Sequence, residues 1–265
     1  VTITAIPQKV HGVLWFFPAH NEAKNLSLLV ENSLATFGTM GVHYRLAIIN
    51  DGSTDGTLEV AMELEKNNPR RVKVFNHSHN RGYSATLKTG FQAGLESGHP
   101  WIGFCDSDLQ FDIRDVIKLV ETAQSEGVDI VIGIRKNRAD GILRRITGRS
   151  WHWINWLILG VRVKDVDCGF KLFKREVIFD LLPDLKGDHA TISPELMARA
   201  RRKDFSFAEV DVQHLPREHG EQTGVKLRVI LGSFNSLFRV RKDIRREAQA
   251  QFDACPDLIE VPESA

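Results

Sequence analysis

The chain has 265 residues, with 35 Lys and Arg against 34 Asp and Glu and 42% hydrophobic residues, which excludes a disordered or low-complexity protein and leaves ample core for one large domain. Its net charge of +1 hides a partition: residues 1–134 are four charges negative, 135–246 ten charges positive, and 247–265 hold five acids and no base. Cys105, Cys168 and Cys255 are too widely spaced for a disulfide framework or zinc knuckle, no apolar run reaches the roughly 18 residues of a membrane span, and no signal-peptide pattern opens the chain, so the sequence predicts a soluble or peripheral protein in a reducing compartment.

In chain order, short apolar runs at Val10–Phe17, Arg45–Asn50, Val72–Asn76, Trp101–Cys105 and Ile130–Arg135 predict buried strands. Amphipathic helices are predicted between them at Ala23–Phe37, Thr57–Asn67, Ala85–Ser97 and Ile113–Glu126. This alternation predicts an α/β protein with a mainly parallel central sheet covered on both faces. After Arg135 the rhythm changes: an Arg-rich loop, the Trp-rich stretch Trp151–Val161, and a strand-like run around Cys168–Phe173. A helix is predicted to open at Ser193-Pro194-Glu195, with Ser193 as N-cap. A strand at Phe207–Val212 and a basic amphipathic helix at Val225–Arg246 follow. With no linker between the halves, residues 1–246 read as one domain, 10–134 forming a nucleotide-binding half and 135–246 an acceptor- and membrane-facing half. Residues 247–265 read as an acidic, disordered tail.

Ligands of open α/β sheets bind beyond the carboxyl ends of strands, and four polar clusters fall there. They are Pro18-Ala19-His20-Asn21-Glu22, Asn50-Asp51-Gly52-Ser53-Thr54-Asp55, Asn80-Arg81-Gly82 and Asp106-Ser107-Asp108-Leu109-Gln110. Any one suits a helix cap or turn; four on one edge suit a site. Asp106 and Asp108, two residues apart at a strand end, can turn toward one Mg²⁺ or Mn²⁺ that also holds substrate phosphates. An Asp-x-Asp pair also occurs in phosphatases, but there the first Asp usually follows the first strand. The absence of G-x-G-x-x-G, a Walker lysine loop, H-E-x-x-H and G-x-S-x-G counts against dehydrogenases, P-loop enzymes, zinc proteases and α/β-hydrolases.

These four clusters in this order resemble the family-2 glycosyltransferases of GT-A fold. Asp165-Val166-Asp167-Cys168-Gly169-Phe170-Lys171-Leu172-Phe173, and Glu209-Val210-Asp211-Val212 with Pro216-Arg217-Glu218-His219-Gly220, resemble the branch that makes dolichyl- or polyprenyl-phosphate sugars. The resemblance implies that Pro18, Ala19, Asn21, Glu22 and Asp51 hold the base and ribose of a nucleotide sugar. Gly52, Ser53, Asp106 and Ser107 belong with those nucleotide-binding positions. It implies that Asp106, Asp108 and Gln110 hold the metal and diphosphate, and that Arg135 and Arg217 face sugar or acceptor phosphates. His20 departs from the family's usual Tyr, Trp151 from a common Ser, and Gln222-Thr223-Gly224 from the usual Ser-Lys.

The function so implied is metal-dependent, inverting transfer of a hexose, mannose or glucose, from GDP-mannose or UDP-glucose to a polyprenyl phosphate. Asp108, Arg135 and Arg217 would be the reacting-site residues. An anionic acceptor needs no general base. A saccharide hydroxyl would need one, and Glu195 is then the candidate, equally readable as a first-turn acid favoured by the helix dipole. A catalytically silent nucleotide-sugar scaffold is the third reading. Residues 144–164 and 225–246 mix apolar and basic side chains and read either as membrane-interface segments or as core-facing helices with a solvated basic face. Nucleic acid is not an expected partner, because the acidic strand ends would repel it. The expected location is cytoplasmic, peripheral on the membrane.

Overall fold

The computed structural model describes residues 10–136, 157–161, 163–188, 191–217 and 235–247. Strands β1 (Gly12–Ala19), β2 (His43–Asp51), β3 (Val72–His77) and β4 (Trp101–Cys105) alternate with helices α1 (Ala23–Thr39), α2 (Thr57–Asn67), α3 (Tyr83–Glu96) and α4 (Val116–Glu126). Then come β5 (Ile130–Lys136), β6 (Phe170–Lys174), α5 (Arg175–Leu181), α6 (Ile192–Arg202) and β7 (Phe207–Gln213). Residues 235–247 form a further helix, α7, and residues 157–159 are helical.

The sheet order is β3-β2-β1-β4-β6-β5-β7. Every pairing is parallel except those of β6, which runs antiparallel to both β4 and β5. The predicted parallel α/β architecture is thus what forms, with one reversed strand. That reversal matters for the site: an antiparallel strand begins at the edge where its parallel neighbours end. Cys105 of β4 pairs with Phe170 of β6, and the Asp106 N–H donates to the Gly169 carbonyl at 3.1 Å.

Side-chain alternation divides the core. Val13, Trp15 and Phe17 of β1 face α1 and α4, packing with Leu26, Leu29, Val116 and Leu119. Leu14 and Phe16 face α3, α5 and α6, with Phe91, Phe104, Phe173 and Leu196. On that face Phe91 meets Phe16, Phe104 and Phe173 edge-on at 5.3–5.9 Å, contacts worth about 0.5–1.5 kcal/mol each beyond their buried area. A Cβ on Gly90 would lie 2.3 Å from the Phe16 ring, so glycine sets how closely α3 approaches β1.

Several boundaries differ from expectation for identifiable reasons. β1 lies two residues later than predicted and includes Pro18. Proline is tolerated there because the β4 pairing ends at Phe16–Phe104, leaving no ladder bond for Pro18 to supply on that side. The predicted Ile113–Glu126 helix begins as a 3₁₀ turn, Ile113–Asp115, capped by the Asp112 side chain on the Arg114 N–H. α6 starts at Ile192 with Thr191 at the N-cap position, not Ser193. Pro194 still fits, because first-turn N–H groups have no helical acceptor to lose. The predicted Val225–Arg246 helix is described only from residue 235 onward, and 225–234, like 137–156, lie outside the described residues.

Candidate active site

The carboxyl ends of β1, β2, β3 and β4 converge as the sequence predicts, and most of their polar side chains first hold one another. Asn21 adopts a left-handed backbone (φ 57°), tolerable for Asn. Its N–H donates to Ser53 Oγ at 3.0 Å and its Oδ1 accepts from the Thr54 N–H at 2.9 Å, clipping the β1 end to the β2 end. Gly52 (φ 60°) passes so close to the next loop that a Cβ would lie 2.2 Å from the His79 carbonyl carbon. Ser107 is buried and donates to the Pro18 carbonyl at 2.7 Å. Ser53 and Ser107 thus spend these contacts on loop architecture.

Asp51 is buried beneath the loop after β3. Its carboxylate accepts from His77 Nδ1 at 2.7 Å and from the N–H groups of Arg81 and Gly82 at 2.9 and 2.8 Å. Burial alone would raise its pKa, but the His77 bond and the two backbone donors together hold it below the usual carboxylate range. His20, the departure from the family pattern, donates through Nδ1 to the Asp51 carbonyl at 3.0 Å and accepts at Nε2 from Asn80 at 3.0 Å.

Asp106 and Asp108 stand at the end of β4. Tyr83, the first residue of α3, donates its hydroxyl to Asp106 Oδ1 at 3.0 Å. Asp108 Oδ1 accepts from the Gln110 N–H at 3.1 Å. Burial first, and the neighbouring Asp108 charge second, push the Asp106 pKa up to about 7. A Cβ on Gly169 would lie 2.1 Å from Asp106 Oδ2, so only glycine leaves that oxygen its place.

Arg217 arrives from the other end of the chain. Gln110 Nε2 donates to the Leu215 carbonyl at 3.3 Å, the Leu215 N–H donates to the Gln110 carbonyl at 2.7 Å, and Phe111 bridges His214. This fastening sets the Arg217 guanidinium between Glu22 Oε1, at 2.6 Å, and Asp108 Oδ2, at 3.5 Å. Glu22 is buried, which raises its pKa despite Asn25 and Arg217. The Gln110 amide, expected on the metal, is engaged through its nitrogen in holding this segment.

Arg135, at the end of β5, is mostly buried and grips Asp165 with two bonds of 2.7 Å. Burial opposes its charge, but the Asp165 contacts outweigh it and raise its pKa. Lys171 is fully buried on β6 and donates to the Cys168 carbonyl. Burial lowers its pKa, against the attraction of the Cys168 thiolate form and of Asp167, Asp165 and Asp106. The structure therefore adds Tyr83, Asp165, Gly169 and Lys171 to the site residues named from sequence. A tyrosine opening a helix beside Asn80-Arg81-Gly82 was the available signal, since a buried hydroxyl needs a partner.

Glu195, readable from sequence either as a base or as a first-turn acid, sits in the first turn of α6. It is fully buried, its Oε2 accepts from the Lys186 and Gly187 N–H groups, and its Oε1 pairs with Arg199 at 2.8 Å. Neither oxygen is presented to an acceptor; the group is an anchor for the 185–188 turn.

Two carboxylates at one strand end, one driven toward its protonated form, form a donor set short of positive charge, which fits a hard divalent cation. Among the described residues no cluster of three or more His, Cys, Asp or Glu is placed to bind a metal. Two protein ligands with diphosphate and water oxygens is the usual mode for Mg²⁺.

The sequence profile described as "Glycosyl transferase family 2" matches residues 15–182, more than half of the chain. The dodecaprenyl-phosphate galacturonate synthase of Rhizobium johnstonii is 29% identical over 233 residues, covering 86% of this chain and 67% of that protein. An undecaprenyl-phosphate 4-deoxy-4-formamido-L-arabinose transferase of Pectobacterium carotovorum is 27% identical over 211 residues, covering 80% of this chain and 62% of that protein. The chain thus spans about two-thirds or less of the length of these relatives. Among solved structures, glucosyl-3-phosphoglycerate synthase from Mycobacterium tuberculosis with phosphoglyceric acid superposes with a TM-score of 0.67 at 17% identity, covering 88% of this chain and 80% of that one. The same enzyme with Mn²⁺, uridine diphosphate and phosphoglyceric acid gives 0.65 at 18% identity, covering 87% and 78%. At that identity the likeness establishes a shared fold.

Proposed function

The chain belongs to glycosyl transferase family 2, and from that premise we propose that it transfers a sugar from a nucleoside-diphosphate sugar to a polyprenyl phosphate, with inversion at the anomeric carbon. The observation that carries this reading is the contact of Arg217 with Asp108, whose neighbour Asp106 stands at the same strand end: two carboxylates suited to a cation beside an arginine suited to phosphate. The relatives' names, each joining a sugar to a polyprenyl phosphate, support the acceptor class.

In this account the ends of β1 and β2 cradle the nucleoside, with Asn21 and Gly52 fixing the loop shapes. Asp106 and Asp108 would hold Mg²⁺ or Mn²⁺, which neutralises charge on the departing diphosphate. Arg217 leaves Asp108 and orients anionic oxygen of donor or acceptor. Arg135, held by Asp165, keeps positive charge at the neighbouring strand end. A lipid phosphate is already anionic at neutral pH, so no side chain must remove a proton, consistent with a buried, paired Glu195. Transfer to a saccharide hydroxyl loses its candidate base for the same reason.

Mannose and glucose are the sugars expected from sequence, whereas the relatives are named for galacturonate and 4-deoxy-4-formamido-L-arabinose. The test is incubation with polyprenyl phosphate, Mn²⁺ or Mg²⁺, and labelled GDP-mannose, UDP-glucose or a nucleoside-diphosphate galacturonate in turn. Label entering the organic phase with one donor supports the reading and assigns the sugar. Label passing only to a soluble saccharide would select the hydroxyl acceptor instead.

A further inference from the structure

α7 segregates its charges. Leu237, Val240 and Ile244, at i, i+3 and i+7, are buried against the protein. Its two acids also turn inward: Glu247 pairs with Arg199 at 2.5 Å, and Asp243 lies 3.8 Å from Lys186. The opposite face, Phe238, Arg241, Lys242, Arg245 and Arg246, lines a concave surface patch. Phe238 is 57% exposed, and so is Leu157, at 72%, whose carbonyl accepts from Arg241. Among the described residues, no acidic side chain pairs with those four bases.

We propose that this face of α7, with Leu157, docks on an anionic lipid bilayer. Four outward cations complement a negative surface, and two exposed apolar side chains set among them require a partner with apolar depth below its charge. A nucleic-acid phosphate surface offers the charge without that depth. The fold holds the face rigidly: Ser236 Oγ meets Thr191 Oγ1 at 3.0 Å, and the Arg199–Glu247 pair fixes the helix at its far end.

The test is co-sedimentation of the full chain with vesicles of phosphatidylcholine alone, or of equal parts phosphatidylcholine and phosphatidylglycerol. Neither contains polyprenyl phosphate, so the result bears on the surface and not on the acceptor. Binding is expected to the anionic vesicles only, weakening as salt is raised. K242E/R245E/R246E should lower partitioning about 100-fold at an unchanged melting temperature, and Phe238→Ala should lower it less while preserving the salt dependence. K24E/K66E/R70E, which reverses three charges on α1, α2 and the turn after α2, should bind like wild type. No binding, binding indifferent to phosphatidylglycerol, a triple α7 variant that binds like wild type, or equal loss in the α1/α2 control would each overturn the assignment.

Discussion

At the scale of single residues, the site is governed by how Asp106 is housed. Its pKa, raised from 3.8 to about 7 by burial and by Asp108, makes the neutral acid the form the cation-free fold prefers below about pH 7. The sign follows: this group contributes stability in full below the unfolded value of 3.8, and that contribution is lost as pH rises through about 7. Asp106→Asn should therefore flatten the decline of melting temperature with pH over that window, measured in chelator. Binding of Mn²⁺ must expel the proton, so wild-type Mn²⁺ affinity should fall about tenfold per pH unit below about pH 7. Titration calorimetry at several pH values checks this, and a flat profile would show that Asp106 enters the cation site already ionised. Gly169→Ala pushes a methyl into Asp106 Oδ2. It should weaken Mn²⁺ binding while costing about 1–3 kcal/mol of stability, the usual range for an overpacked site.

At the scale of elements, the strand ends were legible in sequence because they are local: each cluster follows its own apolar run. What joins them was not. Arg217 and Glu22 meet across 195 positions of chain, and their meeting depends on the Gln110–Leu215 fastening rather than on any motif. The antiparallel placement of β6 was hidden because a strand of five residues carries no mark of its direction. Without that direction, Gly169 could not be set against Asp106. The helix start at Ile192 was misplaced because Ser193-Pro194 satisfies the capping pattern equally well two residues later. Glu195 shows the consequence. A first-turn acid suits a base or a structural anchor, and only burial separates them. Glu195→Gln should cost about 3–5 kcal/mol, the range for breaking a buried pair, with kcat within a few-fold of wild type in the folded fraction. A base would behave oppositely, losing kcat by orders of magnitude at an unchanged melting temperature.

At the scale of the whole molecule, the charge partition maps onto the fold. The negative front half supplies β1–β4 and the paired carboxylates. The positive second half supplies Arg135, Lys171, Arg217 and the outward face of α7. No helix among the described residues is long and apolar enough to cross a membrane; the outward face of α7 is the surface proposed to meet a bilayer. In the proposed reaction, donor and acceptor would meet where the two halves share one sheet edge. Chelation with EDTA should abolish transfer and added Mn²⁺ or Mg²⁺ should restore it, whereas Asp108→Asn should resist rescue. Single displacement at that edge has one stereochemical consequence. The most direct test is the anomeric configuration of the lipid-linked product, read by NMR after reaction with the active donor. The account predicts configuration opposite to that of the donor; a lipid-linked product that retains it would contradict the account.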